Sequence, residues 1–223
     1  MTEIAGESRT TRGISEIVMQ LSRIRRAAPL AVVLALAFSA AAIAQGAAPA
    51  SPPAANPDKG LAAPSPLKPG DAFGETVTLP ERTIVFLKGH TNWDAAFDTL
   101  TDSFKSLNEY LDKQGIKPSG PFITIYTQTD DTGFSFQAAA PVSTAPANPP
   151  KGDIAVGTAP GGKALKFVHR GSYDAMDSTY EAITNYLDDK QLDAKDLFIE
   201  EYTTDPVKTD PNNLVINIFV PIK

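Results

Sequence analysis

The run Phe198-Ile199-Glu200-Glu201-Tyr202, followed by Thr203-Thr204-Asp205-Pro206, sets two carboxylates among rings and β-branched side chains. Such a composition ended by Asp-Pro predicts a strand running into a turn. Side chains alternate between the two sides of a strand, so Phe198, Glu200 and Tyr202 share one face and Ile199 and Glu201 the other. One acid among rings is a chemically coherent set: ring faces stack on flat organic groups and attract cations, and a carboxylate neutralises positive charge. Glu201 reads as a solvated edge charge and Asp205-Pro206 as turn chemistry.

A second stretch, Phe122-Ile123-Thr124-Ile125-Tyr126, splits the same way, with Thr124 standing where Glu200 stands. Ile123, Ile125 and Ile199 form a purely aliphatic set, which assigns their face to a helix-packed core. That leaves Phe122, Tyr126, Phe198 and Tyr202 around Glu200 on a second surface, a groove between the two stretches. Trp93 and Tyr173 fall at helix starts, as rim or core residues. The expected ligand-binding set is therefore Glu200, Tyr202, Phe198, Tyr126, Phe122, Trp93 and Tyr173, and the ligand a small amphipathic, cationic aromatic molecule. Strand aromatics serve as core more often than as pocket, and that is the competing reading. His169 and Arg170, before Gly171, read as surface residues, with ligand contact as the alternative.

The composition excludes much else. The chain has no cysteine, which removes disulfides, thiolate nucleophiles and Cys-based metal sites. Its two histidines, His90 and His169, are too few for a multi-histidine metal centre, and no metal or cofactor is expected. A formal net charge of −6 repels phosphate backbones, so no nucleic-acid partner is expected.

At the N-terminus, Arg23, Arg25 and Arg26 precede an apolar run, Pro29–Ala44, which ends Ala42-Ile43-Ala44. A basic stretch, a short apolar stretch and an Ala-x-Ala site are the pattern of a secretory signal peptide over residues 1–44. The apolar run is shorter than the ~20 residues of a membrane-spanning helix, so cleavage after Ala44 and a periplasmic or secreted product without a stable membrane span are expected; a retained anchor is the alternative. Met19 is an alternative start. Cleavage removes five basic and three acidic residues, leaving 15 against 23 and a net charge of −8. Residues 45–70, rich in Pro and Ala, read as a disordered tether.

From Asp71 onward the sequence repeats. At an offset of 80, Trp93 aligns with Tyr173 and Phe136 with Ile216; at an offset of 76, Phe104 aligns with Tyr180, Tyr110-Leu111-Asp112 with Tyr186-Leu187-Asp188, and Tyr126 with Tyr202. Each copy, 71–142 and 154–223, reads strand, helix, strand, strand, with 143–153 as a Pro-rich connector. Apolar residues at steps of three and four, from Trp93 to Leu111 and from Tyr173 to Leu187, predict one amphipathic helix per copy, capped by Asn92 and Ser172. The expected fold class is α+β, with tandem duplicated modules forming an antiparallel sheet around a central groove.

The run Gly161-Gly162-Lys163 with Phe167, His169-Arg170-Gly171-Ser172-Tyr173, Tyr180, Tyr186-Leu187 and Glu200-Glu201-Tyr202-Thr203-Thr204-Asp205-Pro206 resembles the GyrI-like proteins, also called the bacterial transcription activator effector-binding domain. The resemblance covers Thr76–Lys223. It implies two strand-helix-strand-strand modules around a ligand groove, and a groove glutamate, here Glu200 with Tyr202 beside it, that meets cationic aromatic drugs. The chain departs from the pattern in lacking a preceding helix-turn-helix and in its export signal, which argues against gene activation and gyrase inhibition. Some members are similar in fold but hydrolyse cyclopropane rings of alkylating natural products. The resemblance thus carries an enzymatic alternative in which Glu200 activates water and Tyr202 donates a hydrogen bond. Haem binding through His90 or His169 is a weaker third possibility.

Overall fold

The structure is a computed structural model that describes residues 67–147, 150 and 152–223. The expected signal segment, residues 45–66 of the tether, and residues 148, 149 and 151 of the connector lie outside the described residues.

Ten elements follow in order: β1 (Phe73–Leu79), β2 (Arg82–Asn92), α1 (Ala96–Lys113), β3 (Ile123–Thr129), β4 (Gly133–Pro141), β5 (Ile154–Ala159), β6 (Gly162–Gly171), α2 (Met176–Lys190), β7 (Phe198–Tyr202) and β8 (Leu214–Pro221). The strands make one antiparallel sheet in the order β1-β6-β8-β7-β3-β4-β2-β5. The α+β duplication holds, but each copy opens with a strand that was not foreseen. FGETVTL and IAVGTA are short, carry glycine and lie at the sheet's two edges, so neither shows the dense β-branched signal of an inner strand. These leading strands are exchanged: β1 pairs with β6 of the second copy and β5 with β2 of the first.

Both helices begin as anticipated. Asn92 accepts from the Ala95 N–H at 2.9 Å, Ser172 from the Asp174 N–H at 3.2 Å, and each cap opens a short 3-10 turn before the α-helix. These side chains satisfy donors that the first helical turn leaves open. The β3–β4 turn is held by the Asp130 carboxylate, which accepts from the Thr132 and Gly133 N–H groups. Gly74 is sterically required. At φ 79°, it sits in a bulge of β1 beneath Tyr186, where an added Cβ would lie 2.2 Å from the ring.

The assignment of the sheet's faces is reversed from expectation. Leu100 and Phe104 of α1 and Met176, Tyr180 and Ile183 of α2 pack on the face that carries Tyr126, Phe134, Phe198 and Tyr202. Ile123, Ile125 and Ile199 lie on the opposite face, buried with Ile84, Phe86 and Phe219, and no helix residue joins them. The rings are wide enough to fill the gap between helices and sheet, whereas the aliphatic face is closed by the sheet curling on itself. Arg82 of β2 reaches Glu201 of β7 at 3.2 Å although the two strands stand three places apart, ~14 Å in a flat sheet.

Candidate functional site

β3 and β7 meet at the middle of the sheet, in register Tyr126↔Phe198, Ile125↔Ile199, Thr124↔Glu200 and Ile123↔Glu201. Thr124 and Glu200 are also counterparts at the 76-residue offset, so the pseudo-twofold axis of the duplication passes between them. The residues nearest the axis are thus a hydroxyl and an acid where strict symmetry would set two of a kind.

Glu200 is fully buried. Its Oε1 accepts from the Tyr180 hydroxyl at 2.7 Å and its Oε2 from the Tyr202 hydroxyl at 2.9 Å. Thr124 donates to the Tyr202 oxygen at 3.5 Å, and the Tyr126 and Tyr173 hydroxyls bond each other at 2.8 Å. Among the described residues Glu200 has no ion pair. Burial pushes its carboxyl above the usual range, opposed by the hydrogen bonds of Tyr180, Tyr202 and Tyr126. Burial first, and then the Glu200 charge, push the phenols of Tyr126, Tyr173, Tyr180 and Tyr202 well above their ordinary value. They stay protonated donors at any physiological pH. The site is an acid without a cation, held in a cage of phenols.

The rings form a continuous packing around it. Tyr126 stacks on Phe198 at 4.3 Å, Tyr180 meets Phe198 edge-on at 5.3 Å, and Phe104 of α1 lies 5.2 Å from Tyr202 and 5.0 Å from Phe122. Above the seam, the starts of α1 and α2 come together. Phe97 stacks on Tyr173 at 5.1 Å beside a depression of about 250 Å³, also lined by Trp93 and Ala96. Tyr173 therefore touches both the depression and the Glu200 cluster.

Of the seven residues expected to act together, Glu200, Tyr202, Phe198 and Tyr126 are brought into direct contact. Phe122 lies at the margin against Phe104, and Tyr173 stands above the seam. Trp93 lines the depression but packs on Phe134 and donates to the Asp130 carbonyl at 3.0 Å. Two expectations fail. Glu201 is not a free edge charge: it pairs with Arg82 and accepts from the Asn217 amide at 3.1 Å. His169 is not a surface residue but fully buried, its Nδ1 2.8 Å from the Thr179 hydroxyl and its Nε2 3.0 Å from the Ser172 carbonyl. Since that carbonyl only accepts, Nε2 carries the proton; burial lowers the ring's pKa, and the imidazole is a neutral core group with no open ligand position.

Tyr180 was missed as a site residue because its spacing places it in the apolar stripe of its helix. The signal was in the repeat. Its counterpart is Phe104, as Thr124 is the counterpart of Glu200, so the second copy gains the phenol and the acid together, and they bond.

The model of the GyrI-like small molecule binding domain matches residues 75–223, two thirds of the chain. The chain belongs to the GyrI-like family. EcmrR in its DNA complex within EcmrR-RPo, seen by cryo-EM, is similar to the GyrI-like domain at a TM-score of 0.58 and 16% identity, covering 68% of this chain and 57% of that one. The chain thus spans little more than half that EcmrR molecule. The crystal structure of the EcmrR C-terminal domain aligns at 0.54 and 15%, covering 68% and 98%, and SAV2435 bound to tetraphenylphosphonium at 0.49 and 17%, covering 68% and 94%. At these identities the likeness to the two EcmrR structures is one of fold. No curated protein matches the sequence. Among the described residues of this GyrI-like chain, no helix is long and apolar enough to cross a membrane.

Proposed function

We propose that this GyrI-like domain binds small amphipathic cations of aromatic character, in the space between α1 and α2, with Glu200 as counter-charge. The observation that carries the reading is a buried carboxylate with two phenolic donors and, among the described residues, no ion pair. An acid taken out of water without a cation costs several kcal/mol unless something repays it, and a bound cation does so. The surrounding rings supply stacking and cation–π attraction. The existing depression, about 250 Å³, is smaller than the ~300–1,000 Å³ of ordinary ligand pockets. Binding on this reading therefore swings the Tyr173 and Phe97 rings aside and opens the way from the depression to Glu200.

The same reading has the protein exported, on the strength of the basic and apolar N-terminal pattern, and not engaged with nucleic acid, on the strength of its acidity. N-terminal sequencing of the secreted product should begin at Gln45. The hydrolytic alternative gains no specific support: both carboxylate oxygens of Glu200 are engaged by phenols that remain protonated.

Calorimetry with methyltriphenylphosphonium and its neutral near-isostere triphenylphosphine oxide tests the proposal. Wild type should prefer the cation, and Glu200→Gln should lose that preference while still binding the oxide. Equal weakening of both ligands would leave the carboxylate without a role in selectivity.

A further inference from the structure

The duplication places a second pair of equivalent sites on the helix-free face of the sheet, at the outer ends of β6–β8 and β2–β4. At an offset of 80, His90 corresponds to Arg170 and Gln137 to Asn217. The register agrees: His90 lies across from Ser135 and Arg170 from Val215, while Ile125 lies across from Gln137 and Glu201 from Asn217.

In the second copy, both polar groups hold carboxylates. Arg170 grips Asp71 in a two-pronged pair, Nε to Oδ2 at 2.7 Å and Nη2 to Oδ1 at 2.6 Å, and the Asn217 amide donates to Glu201 at 3.1 Å. Asp71 comes from the segment leading into β1, whose Ala72 carbonyl accepts from the Val168 N–H at 3.0 Å. The grip is strong enough to lower the Asp71 carboxyl to about 2.

In the first copy, the frame is kept and the carboxylates are gone. The segment leading into β5 docks in the corresponding way, its Asp153 carbonyl accepting from the Lys88 N–H at 3.1 Å, but Gly152 precedes it where Asp71 precedes Ala72. Ile125 stands in place of Glu201. What remains is a depression of about 590 Å³, twice the 290 Å³ of its twin, lined by Lys88, His90, Ser135 and Gln137 and, among the described residues, by no acid. Among the described residues Lys88 has no ion pair and the Gln137 amide has no hydrogen bond. Asp130, the carboxylate that feels His90, accepts from the turn N–H groups of Thr132 and Gly133.

We infer that this depression binds a carboxylate, supplied by a ligand where the second copy supplies its own Asp71. Lys88 provides the charge, and His90 and Gln137 hydrogen-bond donors. Because the chain's own β5 segment already takes the backbone positions, the ligand needs only the acid group. A free organic acid or an acidic side chain of a peptide presents the same chemistry. Charge-assisted hydrogen bonds of this kind are about twice as strong as neutral ones.

Backbone-amide NMR of the full chain tests the inference, with propionate, propionamide, sulfate and the peptide acetyl-Gly-Asp-Ala-amide as probes. Saturable shifts at residues 88–90 and 135–137 with propionate and none with propionamide are expected, weakened about fivefold or more by Lys88→Ala or His90→Ala. Saturation by propionate places the site with free acids; saturation by the peptide alone places it with acidic side chains. Sulfate shifts of equal size and affinity would mean nonspecific charge attraction and overturn the inference. Asp71→Asn gives an independent check: it frees Arg170, so a folded variant should gain a second propionate locus around residues 168–170. A folded variant that gains none would overturn the equivalence of the two sites.

Discussion

Thr124 and Glu200 face each other across the central β3–β7 seam and are also each other's counterparts in the duplication, so the twofold axis of the domain runs between a neutral and an acidic residue. Everything specific about the buried site follows from that broken symmetry. The hydroxyl side makes one long bond, Thr124 to the Tyr202 oxygen at 3.5 Å, whereas the acid side holds Tyr180 and Tyr202 at 2.7 and 2.9 Å.

The first consequence concerns pH. Burial raises the Glu200 carboxyl, so the folded domain keeps that proton where the unfolded chain has lost it. Its effect on stability is then most favourable below the unfolded value and declines as pH rises through the folded one. Glu200→Gln removes the decline. Thermal melts should show the variant more stable than wild type at pH 8, with the difference shrinking toward pH 4.

Tyr180→Phe and Glu200→Thr each convert the second copy toward the first. Alone, Tyr180→Phe leaves a buried carboxylate short of one donor and should cost about 1–3 kcal/mol. Combined with Glu200→Thr, the loss should be smaller than the sum of the single effects by ~1 kcal/mol, as expected for residues in direct contact. A double-mutant cycle from urea unfolding measures it, and strict additivity would argue against the bond.

Tyr173 joins the depression to the cluster through its 2.8 Å bond with Tyr126. Tyr173→Phe keeps the ring and removes the latch. Stopped-flow fluorescence should find faster association of methyltriphenylphosphonium with this variant and an unchanged dissociation rate, because the latch is already broken in the bound state. An unchanged association rate would mean the ring does not guard access.

Asp71 offers an acid-limb test. Held by Arg170, it titrates at about 2 rather than 3.8, so its stabilisation is complete above the unfolded value and is lost as pH falls toward 2. Asp71→Asn should lower stability at pH 7 and flatten the wild-type decline between pH 4 and pH 2, followed by circular dichroism at low salt.

Much of this protein was legible in its residues. The repeat is visible at offsets of 80 and 76, the helices in their three-and-four spacing, and their caps in Asn92 and Ser172. Strand alternation correctly put Phe198, Glu200 and Tyr202 on one side, because adjacent side chains on a pleated strand must point oppositely. The paired change of Phe104 to Tyr180 and of Thr124 to Glu200 between the copies carried the missed hydrogen bond, though only proximity reveals its meaning. Tertiary structure alone decided three things: that the helices cover the aromatic face, that the leading strands β1 and β5 are exchanged between copies, and that His169 is sealed while His90 is open. Alternation is a local property and settles which residues lie together. Which side a helix covers, and which edge a weak strand joins, depends on packing between segments as much as 119 residues apart, where ring volume and sheet curvature compete and no local pattern records the result.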